Sequence, residues 1–145
     1  MIFQNFTVDS EIHLRAFDSG WDLHNFAKFR GIHVLPDGTT VLTWVAPDEH
    51  PWGDREATYR RCDLCFEQIT ILDITKKDLE VPLSENQTLS EVAVDDRRPI
   101  RPLSSADFFL TFRFLGGLTI RIAAAVARLQ PFHDRDQPQA SGGHP

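Results

Sequence analysis

From Phe108 to Val126 the even positions read Phe, Leu, Phe, Phe, Gly, Leu, Ile, Ile, Ala, Val, with the pair Gly116-Gly117 in the middle. A period of two is the signature of strands with one buried face, and a glycine pair between two such runs marks a hairpin. A two-residue Gly116-Gly117 loop would pair Phe114 with Thr119 and mix apolar and polar faces. A three-residue loop, Leu115-Gly116-Gly117, pairs Phe114 with Leu118, Phe112 with Ile120, Leu110 with Ile122 and Phe108 with Ala124. It leaves Arg113 near Thr119 and Thr111 near Arg121 on the outer face. This register therefore predicts Gly117 at φ > 0, closing a bulge. The alanines at 123–125 and 127 offer a helical alternative for 120–129, which the alternation outweighs.

A second hairpin is written between Phe29 and Ala46. Pro36-Asp37-Gly38 supplies a proline that presets φ, an aspartate that can bond nearby backbone, and a glycine for φ > 0. Pairing Leu35 with Thr39 sets Ile32 opposite Leu42 and Val34 opposite Thr40. A strand region runs from Thr58 to Thr75, where Leu64 and Phe66 share one parity, Ile69 and Ile71 the other, and Leu72 and Ile74 the first again. A plain strand cannot put all of these on one side, which predicts a bulge or bend near Glu67-Gln68. Leu89–Val94 reads as a short strand, the cluster Ser84-Glu85-Asn86-Gln87 as a turn, and Trp21–Lys28 as the one place for a short helix. The stretches 47–55 and 97–102 are proline-broken connections.

These elements predict a mainly β fold, an antiparallel sandwich or a curled, partly closed sheet built from hairpins, with at most one or two short helices. The 145 residues include eleven Phe and three Trp among 41% hydrophobic residues, enough for one core. Residues 1–130 are expected to form a single β-rich domain, and the polar stretch 131–145 a disordered tail.

A formal charge of −6 argues against a phosphate-tracking surface, so nucleic acid is not expected as a partner. Met1–Phe6 shows no basic segment leading into an apolar one, and no run approaches 18 apolar residues, so neither a secretory signal nor a membrane partner is expected. With two cysteines only, a reducing cytoplasm is the default location. Cys62-x-x-Cys65 has zinc or redox spacing, but in a strand its sulfurs face opposite sides and no second ligand pair follows. Two packed or half-exposed cysteines are expected, with a redox pair or a structural zinc site as the lesser reading. The six histidines are scattered, no G-x-S-x-G occurs, and no lysine follows the glycine pair as a phosphate loop requires. The acids are too numerous to single out a catalytic pair. No cofactor and no enzymatic activity are expected.

Binding residues are sought instead in two aromatic, polar connections. Trp21, Asp22 and His24 lie in one, and His50, Trp52 and Asp54 in the other; both place a tryptophan beside acids and histidines, as binding loops often do. The competing reading has the two tryptophans folding back to cap the sheet. The pattern Leu64-x-Phe66-x-x-Ile69-x-x-Leu72-x-Ile74, followed by Phe112-x-Phe114-x-Gly116-Gly117-x-x-Ile120-x-Ile122-x-Ala124, resembles that of small β-rich bacterial immunity proteins found beside secreted toxins. The resemblance covers the second half of the chain in hydrophobic pattern, and no functional residue carries over from it. It implies a cytoplasmic non-enzyme that binds and blocks a basic protein such as a toxin through an acidic surface. The alternative is a small β-barrel, holding an apolar ligand within Trp44, Phe112 and Phe114 or catalysing a reaction the sequence does not identify.

Overall fold

The computed structural model describes residues 1–25, 27–53, 58–75, 78–95 and 109–133. In chain order the elements are β1 (Ile2–Phe3), β2 (Thr7–Val8), β3 (His13–Ala16), β4 (Ser19–Asp22), β5 (Lys28–Val34), β6 (Thr40–Val45), β7 (Trp52–Gly53) and β8 (Thr58–Thr75). They are followed by α1 (Leu83–Asn86), β9 (Leu89–Asp95), β10 (Phe109–Phe114) and β11 (Thr119–His133). The main sheet runs β5-β6-β8-β11-β10-β9 in antiparallel order, with β1 added in parallel to β11 and β7 added antiparallel to β8. Strands β2, β3 and β4 form a small second sheet. The main sheet curls into a half-barrel. Edge strand β5 reaches the far side of the sheet, where Phe29 N–H donates to Gln87 O, two residues before β9, at 2.9 Å and the Phe29 ring lies 4.7 Å from that of Phe114 on β10.

The β10–β11 hairpin takes the register that face-matching requires. Leu110 stands opposite Ile122 and Phe112 opposite Ile120, Phe114 N–H donates to Leu118 O, and Gly117 has φ +85°. Phe108 lies outside the described residues. Residues 120–129 are strand throughout, and β11 runs on to His133, so Pro131, Phe132 and His133 belong to the sheet. Residues 134–145 are not described. The β5–β6 hairpin also has the expected pairs, Ile32 with Leu42 and Val34 with Thr40, and Asp37 Oδ1 accepts from Thr39 N–H.

The anticipated irregularity in β8 is present: Gln68 has φ +53°, and two residues on, at Thr70, the β8–β11 register shifts by one residue between the pairs Ala124–Ile69 and Ala123–Ile71. The shift puts Ile69, Leu72 and Ile74 on the face of Ala124, Ile122 and Ile120, as the sequence demanded.

Two expectations are corrected. Among the described residues there is no helix between Trp21 and Lys28: Trp21 and Asp22 close β4, because the small sheet offers their backbone a ladder. Ser84–Asn86 belongs to one helical turn, α1, whose following residues bond back to Glu85 and Ser84 carbonyls. No helix among the described residues is long and apolar enough to cross a membrane.

The α1 turn explains the first glycine of the hairpin loop. Gly116 N–H donates to Glu85 O, and Gly116 O accepts from Asp78 N–H. A Cβ on Gly116 would stand 2.0 Å from Asn86 Oδ1, 2.7 Å from Asn86 Cγ and 3.1 Å from Asn86 Cα. Because Asn86 is buried and its own Cα crowds the site, turning the side chain does not clear the contact. Gly116→Ala is therefore expected to destabilise the fold by about 1–3 kcal/mol, read as a lower urea midpoint at unchanged slope.

Candidate functional site

Both tryptophan-bearing connections come together at one end of the half-barrel, held by their rings. Trp21 on β4 is fully buried and Trp52 on β7 nearly so. Their ring centroids are 5.3 Å apart, and Tyr59 on β8 packs 5.4 Å from Trp21. Each indole N–H has a backbone acceptor: Trp21 Nε1 donates to Ala16 O at 3.1 Å, and Trp52 Nε1 to Asp22 O at 3.0 Å. The second bond ties β7 directly to the end of β4. The rings thus close the core, and the polar groups beside them form the surface.

That surface is a cleft of about 410 Å³ lined by His13, Gly20, Asp22, Glu49, His50 and Trp52, among others. Asp22 is its most constrained member. Its Oδ1 accepts from the backbone N–H groups of His24 and Asn25, its Oδ2 from Asn25 Nδ2, and His13 Nε2 lies 3.5 Å from Oδ2. Of the expected residues, Trp21, Asp22, His50 and Trp52 are therefore neighbours. His24 turns away, its Nδ1 bonding Leu89 O on β9. Asp54 lies outside the described residues. Sequence reasoning missed His13 and Glu49. His13 pairs directly with Asp22 across β3–β4, a signal legible only once that hairpin is recognised.

Burial pushes the Asp22 carboxyl pKa upward, but the hydrogen bonds from Asn25 and His24 and the charge of His13 outweigh it, and the net shift is downward. A carboxyl depressed in the folded state below its ordinary value of about 3.9 contributes stability fully above that value, and loses it as pH falls through the native pKa. The stability gap between the native chain and Asp22→Asn, measured by urea unfolding, is thus expected to narrow as pH falls below about 4.

Elsewhere the chemistry is quiet. Cys62 faces the core, while Cys65, three residues along the same strand, lines the opposite face of the sheet. One ion cannot take both sulfurs from that geometry. Burial raises both thiol pKa values, most strongly that of Cys62, so both sulfurs stay protonated near neutral pH. A thiol-specific reagent is expected to label neither cysteine in the folded protein at pH 7 and both in denaturant. Among the described residues no three His, Cys, Asp or Glu side chains are placed to hold a metal. In the interior, Trp44 packs 5.5 Å from Phe112 and 5.0 Å from Phe29, and Phe29 packs 4.7 Å from Phe114. These rings fill space against one another.

Comparison with protein-family models, with curated proteins and with solved structures finds no match to the chain.

Proposed function

We propose that this chain is a non-catalytic binding protein whose recognition surface is the cleft of His13, Asp22, Glu49, His50 and Trp52, and whose partner is a basic protein. One observation carries the reading. The Trp21–Trp52 contact and the Trp52–Asp22 hydrogen bond fix two polar connections side by side, so carboxylates from both stand at one preformed cleft. A preformed site loses little conformational freedom on binding. Asp22 and Glu49 suit a lysine or arginine side chain, and the net charge of −6 speeds encounter with a basic surface. Neutralising a toxin in the cytoplasm is the role that the sequence resemblance gives such a protein.

The test is capture from a lysate of the source cells on the immobilised chain, beside the Asp22→Asn/Glu49→Gln double variant. A basic protein is expected to be retained by the native chain and lost from the variant. Equal retention by both, or retention of nothing by the native chain, overturns it.

A further inference from the structure

Strand β6 and the Cys62–Phe66 stretch of β8 are buried on both faces, although only one face meets the core. On the outer face Val41, Thr43, Asp63 and Cys65 are each less than a tenth exposed. Of these, Val41, Asp63 and Cys65 floor a groove of about 500 Å³ whose walls include Arg61, Arg128, Glu67, His33 and Gln130. A charged carboxylate in such a floor is unexpected, because a buried ion pair contributes little net stability compared with apolar residues of the same volume.

Asp63 is spent on orienting Arg61. Its Oδ1 accepts from Arg61 Nε at 3.1 Å and from Thr43 Oγ1 at 2.8 Å, and its Oδ2 accepts from Arg61 Nη2 at 2.7 Å. The Phe132 ring lies under the same guanidinium, 4.5 Å from its centre. Arg61 is thus fixed along one edge and one face, while its side chain stays 44% exposed. Arg128 stands opposite Cys65, four residues along β8 from Arg61, or about 13 Å at the rise of a strand. Its Nε donates to Glu67 Oε1 at 3.2 Å, which leaves its Nη groups for other acceptors. The remaining acid of the groove, Asp37, is turned to Thr39 N–H. Two guanidiniums held by acids on their Nε sides, with N–H groups left over and a walled space between them, form a pre-oriented donor array.

We propose that this groove is a second binding site, separate from the cleft at the tryptophan end. Its ligand is a small molecule with anionic groups at both ends, carboxylate or phosphate, bridging the Nη groups of Arg61 and Arg128. Asp63, Glu67 and Phe132 are positioning residues, which set the two guanidiniums and leave the ligand contacts to them.

The experiment is a titration of the ¹⁵N-labelled full chain with inorganic pyrophosphate and, separately, with succinate, following the side-chain Nε–H signals of all arginines. Saturable shifts confined to Arg61 and Arg128 are expected with at least one anion, at a dissociation constant below about 1 mM, and the responding anion identifies the ligand chemistry. Arg128→Gln and Arg61→Lys should each weaken binding at least about tenfold with the backbone spectrum retained. Should Arg61→Lys unfold the chain, Arg128→Gln decides alone. No saturable shift with either anion up to about 10 mM, shifts shared by all exposed arginines, or undiminished affinity in Arg128→Gln overturns the proposal.

Discussion

Phe112→Ala is expected to lower the stability of the fold by about 3–5 kcal/mol, the range for removing a fully buried aromatic ring. Phe112 is completely buried on β10, opposite Ile120 on β11 and Val92 on β9. Its ring lies 5.5 Å from that of Trp44 and meets Phe66 edge-on at 6.4 Å, so the loss opens the centre of the curled sheet, where three strands of the half-barrel face each other. For a chain of this size the cost corresponds to a melting temperature about 6–20 °C lower. Leu79→Ala, at a position 84% exposed, serves as the control and should change stability by less than about 0.5 kcal/mol.

Trp21→Ala is expected to cost a similar ~3–5 kcal/mol and also to disable the cleft. Trp21 is the ring on which Trp52 and Tyr59 both rest, and its indole N–H satisfies Ala16 O at the turn of the small sheet. Without it, Trp52 and Tyr59 lose the ring they share, and the Trp52–Asp22 hydrogen bond is left to tie β7 to β4. Trp52→Phe separates the two contributions. It keeps a ring at the contact but removes the donor to Asp22 O, a loss of about 1 kcal/mol. Calorimetric unfolding of both variants, run beside the capture assay, is expected to show Trp21→Ala defective in both and Trp52→Phe close to native in stability.

The sequence made the hairpins legible because their information is local. In β10–β11 and β5–β6, parity and loop chemistry independently require one register, and Leu110–Ile122 and Ile32–Leu42 follow from it. The β8 bulge was legible for the same reason, since no regular strand puts Leu64, Ile69 and Leu72 on one face. The small sheet was not legible. Its β3–β4 loop consists of Phe17 and Asp18, both at φ above +50°, where such turns ordinarily carry Asn-Gly. The sequence therefore sends no turn signal there, and His13 could not be matched to Asp22. Trp21 and Trp52 could be singled out as aromatic residues in polar connections, but their contact is tertiary. The bond from Trp52 to Asp22 spans thirty residues, and no local pattern encodes it. The outer groove was hidden differently. Arg61, Asp63, Cys65 and Glu67 alternate onto one face, but a charged and polar alternation is also what an ordinary solvated strand face carries, so it does not single out a groove.

The central claim is that Asp22 and Glu49 act together as the charged surface of a preformed binding cleft. It is tested most directly by titration calorimetry of the captured partner against the native chain and the Asp22→Asn/Glu49→Gln variant, at about 50 and 300 mM salt. The native affinity is expected to fall at least about tenfold between the two salt concentrations, and the variant to bind weakly with little further loss. Equal affinity of the two proteins, or the same salt dependence in both, would contradict it.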